Sequence, residues 1–172
     1  MGTHALTAVI IMGVSGVGKT TVGEGLAERL GWRFLEGDDL HSEASVAKMA
    51  AGTPLTDEDR WPWLDRIART IDGWRQEATR GVITCSALKR SYRDRIRAGH
   101  DDVLFAHLAG DKALIAGRIQ ARKHRYMPAS LLDSQFATLE PPSEEEGAVI
   151  VDVAAPPDRL IEAIVKAVSA RL

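Results

Sequence analysis

The chain has 172 residues, 45% of them hydrophobic and 27% charged, with a formal net charge of −2. That length suits one domain with a single sizeable core, and the slightly acidic balance argues against a nucleic-acid-binding protein, which usually presents a basic face. The single cysteine, Cys85, excludes an internal disulfide and suits a reducing cytoplasm, and no apolar stretch approaches the ~20 residues that span a bilayer.

In chain order, Met1 to Leu6 lacks the basic region of a signal peptide. The run Thr7 to Met12 predicts a buried strand, and Thr21 to Leu30 a helix with Val22, Leu26 and Leu30 on one face. A short second strand, Trp32 to Leu35, ends at Glu36-Gly37-Asp38. A helix over about 42–51 closes at Gly52, and Thr56 with Asp59 forms a capping box opening a longer helix. Trp61, Leu64, Ile67, Ala68, Ile71 and Trp74 fall on one face of that helix. Val82 to Cys85 is the third strand, about 89–98 a basic helix, and Val103 to Leu108 the fourth strand. Asp111 caps a helix to about Lys123, and Ala129 to Leu139 form another. Pro141 to Gly147 read as loop, Ala148 to Asp152 as the last strand, and the terminal helix carries Leu160, Ile161, Ile164, Val165 and Val168. This alternation is the mark of an α/β fold around a parallel sheet.

Between the first strand and helix, Gly13 to Thr20 read G-V-S-G-V-G-K-T, a complete G-x-x-x-x-G-K-[ST] phosphate loop. Gly13, Gly16 and Gly18 allow a turn that aims successive N–H groups inward at a polyphosphate, and the following helix adds its positive end. Gly13, Ser15, Gly16, Val17, Gly18, Lys19, Thr20 and Thr21 are therefore the expected ATP-binding residues. Lys19 would reach the β- and γ-phosphates and the Thr20 hydroxyl would ligate Mg²⁺.

Ligands of open α/β sheets bind at the carboxyl ends of the strands. The second strand ends in Glu36-Gly37-Asp38-Asp39-Leu40-His41 and the third in Ser86-Ala87-Leu88-Lys89-Arg90. Phosphoryl transfer to an alcohol needs an oriented hydroxyl, a proton acceptor and cations around the transferring oxygens. Asp38 is the expected proton acceptor, and Glu36 the residue to hold hydrated Mg²⁺. The basic stretch with Arg118, Arg122, Lys123, His124 and Arg125 suits a lid, about 118–130, that excludes water and supplies an arginine; Arg118 is read with the nucleotide and Arg122 with the transferred group. Val149 to Asp152 resemble a Walker B strand, but their place late in the chain makes Asp152 structural or part of a base pocket. The loop through Pro156 is expected against the adenine.

The segments Glu36 to His41, Lys48 to Leu64, Cys85 to Asp94 and Met127 to Glu140, with the phosphate loop, closely resemble the gluconokinase family over about residues 9–142. The resemblance implies a three-layer P-loop kinase domain over 1–172, with strand order 2-3-1-4-5. It further implies transfer of the γ-phosphate of ATP to the 6-hydroxyl of D-gluconate, use of Mg²⁺, and a homodimer. A linear polyol carboxylate needs cations at one end and hydrogen-bonding groups along its length. Lys48, Arg60, Lys89 and Arg93 are candidates for the charge, and Asp38, His41 and Ser86 for the hydroxyls. Arg60 is the first choice for a two-point grip on the carboxylate.

Two positions depart from the family pattern. His-Pro-x-x-Asn is replaced by His41-Ser42-Glu43-Ala44-Ser45, and the lid's Gly-His pair by His124-Arg125. Both bear on which sugar acid fits. The rival readings are a kinase for another small acceptor, such as a different aldonic acid, shikimate or a nucleoside monophosphate, and a nucleotide-binding switch. The Lys-Met to Pro-Trp-Leu block is foreign to shikimate kinases, and a GTP-reading Asn-Lys-x-Asp element is missing from the sequence.

Overall fold

The computed structural model describes residues 5–121 and 129–172. Five strands, β1 (Ala8–Met12), β2 (Arg33–Glu36), β3 (Gly81–Thr84), β4 (Val103–Ala109) and β5 (Val149–Asp152), form one parallel sheet in the order β2-β3-β1-β4-β5. That is the order the family resemblance implied. All of β1 is buried, so the sheet must be covered on both faces. Val9 and Ile11 join one core with Val22 and Leu26 of α1 (Lys19–Leu30) and Leu160, Ile164 and Val168 of α7 (Pro157–Ser169). Ala8, Ile10 and Met12 face the other way. They meet Leu64, Ile67 and Ile71 of α3 (Asp57–Glu77) and Ile96 of α4 (Arg90–Arg97). The period-2 alternation of one strand thus fixes three layers. The remaining helices are α2 (Glu43–Ala50), α5 (Lys112–Ala121) and α6 (Ala129–Thr138), of which α5 and α6 pack on each other.

Three local readings are corrected. The second strand starts at Arg33 because the Trp32 N–H is bonded to Ala27 O, finishing α1 at the left-handed Gly31. In α3, Trp63 rather than Trp61 is driven inward, since its indole N–H finds the Gly37 carbonyl at 2.7 Å. The 141–147 stretch holds a 3-10 turn, Glu144–Glu146, closed by a Ser143–Glu146 capping box.

Candidate active site

The phosphate loop lies between β1 and α1, anchored by the buried side chains of Val14 and Val17. Gly16 has φ +87°, and a Cβ there would stand 2.6 Å from Cγ1 of Ile119 on α5, so any other residue would be strained and would displace Ile119. Thr20 and Thr21 are exposed in the first turn of α1, where free backbone donors and the helix dipole favour an anion. The Lys19 ammonium donates to the carbonyls of Gly13 (3.0 Å) and Val14 (3.1 Å). Burial lowers its pKa, opposed by nearby Asp38, Cys85 and Glu36. Gln135 of α6 accepts from the Ser15 N–H (2.6 Å) and donates to Ser15 Oγ (2.9 Å).

Beside the loop, β2 runs into a 3-10 turn, Gly37–Leu40. The turn presses on β3: a Cβ at Gly37 would lie 2.0 Å from the Thr84 carbonyl oxygen. The Thr84 hydroxyl donates to Glu36 Oε2 (2.6 Å) and accepts from the Gly37 N–H (3.3 Å). Glu36 Oε1 is buried with no protein partner among the described residues. The Asp38 side chain is 82% exposed, that of His41 only 4%, with 4.0 Å between Oδ1 and Nε2. His41 stacks on Trp63 with ring centroids 4.0 Å apart. Burial lowers the His41 pKa, Asp38 pulls it back, and Arg60 and Arg66 lower it again, so the neutral imidazole is favoured.

A cluster of charge continues from there. Thr56 and Asp59 make the expected capping box, presenting Asp57 and Arg60 at the first turn of α3. The Tyr92 hydroxyl donates to Asp57, accepts from Arg60 (3.1 Å), and its ring lies 5.5 Å from both the Arg60 guanidinium and the Lys89 ammonium. Lys89 Nζ is 3.3 Å from Asp57 Oδ2. The bond from Tyr92 does most to lower the Asp57 pKa, although burial opposes it; Lys89 and Arg60 assist. Lys48 donates to both Asp59 oxygens at 2.9 Å, tying α2 to α3. The Asp59 carboxyl is held at about 2, chiefly by the Thr56 N–H and then by Lys48.

The fold therefore brings Lys19, Glu36, Asp38, His41, Arg60 and Lys89 into one continuous run. Ser86 lies just past the carboxyl end of β3, its carbonyl accepting from the Gly13 N–H at 3.3 Å. Arg118 is half-buried in the last turn of α5, next to the Ile119 that abuts Gly16. Pro156 caps α7 beyond β5, and Asp152 is engaged with the Ala154 N–H at 2.9 Å. Arg122 and the 123–128 part of the expected lid lie outside the described residues.

Arg93 requires a correction. Its side chain is fully buried and all five N–H donors are engaged, by Glu146 (2.7 and 3.2 Å), Ala87 O (2.8 Å), Leu88 O (3.4 Å) and Glu140 O (2.9 Å), which leaves none for a substrate carboxylate. It is a structural anchor that ties α4 to the 140–146 stretch. Ser45, which stands where the family pattern has Asn, is buried, 4% exposed in the first turn of α2. Sequence reasoning missed Asp57, Tyr92, Trp63, Thr84 and Gln135. Asp57 and Tyr92 stood inside the quoted motifs without a role, because only the packing of α3 on α4 makes them meet.

A family model described as an AAA domain matches residues 9–142. The chain is 48% identical over 161 residues to the gluconokinase of Gluconobacter oxydans (strain 621H), covering 92% of this chain and 89% of that one. A crystal structure of a sugar kinase from Janibacter sp. HTCC2649 superposes with a TM-score of 0.89 at 46% identity, over 95% of each chain. That of a gluconokinase from Sinorhizobium meliloti 1021 gives 0.86 at 41%, over 97% of this chain and 94% of that one.

Proposed function

Since this chain belongs to the gluconokinase family, we propose that it transfers the γ-phosphoryl group of ATP to the 6-hydroxyl of D-gluconate, giving 6-phospho-D-gluconate and ADP. The observation that carries this reading is the continuity of the site. A phosphate loop with its lysine leads through Asp38 and His41 to a patch of fixed cations, Arg60 and Lys89, suited to the far carboxylate of a linear acid. Asp38, exposed beside Lys19, orients the 6-hydroxyl and takes its proton as the O–P bond forms. Lys19 keeps two of its three donors on the loop carbonyls and turns the third to the transferring oxygens, whose charge it offsets. His41 and Ser86 hold hydroxyls along the chain, while Lys48 acts at the rim through Asp59.

The residues present fit Mg²⁺. The unpartnered, buried Glu36 Oε1 and the exposed Thr20 are oxygen donors beside the loop, and no larger cluster of metal-binding side chains occurs among the described residues. That sparse set suits a cation that keeps most of its water and binds mainly through phosphate. Thr20 and Glu36 would hold it, and it would neutralise charge on the β- and γ-oxygens.

Arg118 and Arg122 are assigned to the lid side of the phosphates and Pro156 to the adenine. The whole chain is read as one kinase domain, a cytoplasmic homodimer with no nucleic-acid or membrane partner; no helix among the described residues is long and apolar enough to cross a membrane. The test is ADP release from Mg²⁺-ATP with D-gluconate, other aldonic acids, shikimate and nucleoside monophosphates offered separately. Turnover restricted to gluconate is expected. Turnover on a different acceptor alone would move specificity to the Ser45 and Arg125 substitutions, and silence with all of them would leave a nucleotide-binding switch.

A further inference from the structure

The peptide unit joining Val14 to Ser15 is gripped from both sides. Its carbonyl accepts from the Lys19 ammonium at 3.1 Å, and its N–H donates to Gln135 Oε1 at 2.6 Å. The other end of the same amide, Nε2, donates to Ser15 Oγ at 2.9 Å. Only one orientation of the Gln135 amide makes both bonds, because the flipped one would set its NH₂ against the Ser15 N–H. A peptide held at its N–H cannot rotate its carbonyl, so the Gln135 amide fixes the direction of one of the two oxygens on which Lys19 rests.

Gln135 is itself firmly placed. Leu132, one turn earlier on α6, is buried in the core that contains Val14 and Val17, and Phe136 and Leu139 pack on that core. Lys112 of α5 pairs with Asp133 of α6, and Ile119 of α5 closes on Gly16. The leading turn of the phosphate loop is therefore held between two helices far away in sequence.

We propose that Gln135 is a positioning residue for phosphoryl transfer, acting on Lys19 through the Val14–Ser15 peptide. This rests on the reading of the loop as an ATP site. Gln135 touches neither acceptor cation in the structure, so its effect falls on the nucleotide side of the reaction.

Two variants of near-equal size test this. Gln135→Met removes both bonds and should lower kcat about tenfold, the size of one or two lost hydrogen bonds, with KM for gluconate within twofold of wild type. Gln135→Glu keeps an acceptor opposite the Ser15 N–H and should recover at least half of the lost kcat at saturating ATP. Wild-type kcat in the Met variant, an equal change in KM for gluconate, or a Glu variant as impaired as Met would each overturn the assignment. A merely structural glutamine would lower Tm in both variants without this ordering. If wild-type protein turned over no gluconate, the functional reading would fail by itself. Slow hydrolysis of Mg²⁺-ATP by water would still decide the role of Gln135, with the Met variant slower than wild type if the proposal holds and equal rates if it does not.

Discussion

The two halves of the site are built on opposite plans. The phosphate loop is one contiguous stretch whose business is done by backbone: glycines at positive φ, N–H groups at a helix start, and a single lysine folded onto the loop's own carbonyls. The acceptor side is assembled from separate elements by side chains. Asp38 and His41 come from the turn after β2, Asp57 and Arg60 from α3, and Lys89 and Tyr92 from the start of α4. A backbone site tolerates little change within it and leans on distant packing, here that of Ile119 and Gln135, only to hold its shape, whereas a side-chain site can be retuned one residue at a time.

Four substitutions probe that contrast. Lys19→Ala should have the largest effect, a fall in kcat of about 10³, since it removes charge stabilisation that grows in the transition state. Retention of most activity would mean the loop does not bind the transferring phosphates. Asp38→Asn should lower kcat about 10²-fold with ATP affinity unchanged by calorimetry; loss of ATP binding would place Asp38 on the wrong side of the division. Arg60→Ala should raise KM for gluconate roughly 30-fold, the worth of a lost charged hydrogen bond of about 2 kcal/mol, and leave KM for ATP alone. Equal changes in both would join the two halves into one unit.

Glu146→Gln should change the kinetic constants least, because its partner Arg93 faces the interior, yet it should cost several kcal/mol of stability by breaking a buried ion pair. Burial pushes the Glu146 carboxyl up, but Arg93, the Ser143 N–H and Arg97 outweigh it and hold it at about 2, against an ordinary 4.5. A lowered folded-state pKa means that this stabilisation is complete above 4.5 and is lost as pH falls toward 2. Urea melts at stepped pH should show the wild type losing stability more steeply than the variant through that window.

The same contrast governs what could be read from the sequence. The loop, its strand and its helix were legible because the spacing of a few adjacent residues dictates them, and the layered sheet followed from apolar runs and the family pattern. Lys89 and Arg93 look equivalent on a basic helix. Their fates diverge because Glu146, 53 residues away from Arg93, buries one, while Asp57, from α3, holds the other at the surface. Trp63 was passed over for Trp61, since the carbonyl that draws it inward belongs to Gly37. Gln135 lies inside the Met127 to Glu140 family segment, yet its role is not legible there because its partner is 120 positions distant.

The central place of β1 sets an order of events for the growing chain. Ala8 pairs with Gly81 on one side and with Val103 on the other, so the first strand made waits until well past mid-chain for its second neighbour. The phosphate loop hangs from the end of that strand. Nucleotide thus has nothing to grip during the early stages of synthesis, and the chain must collapse on its own hydrophobic pattern before any ligand can reward it.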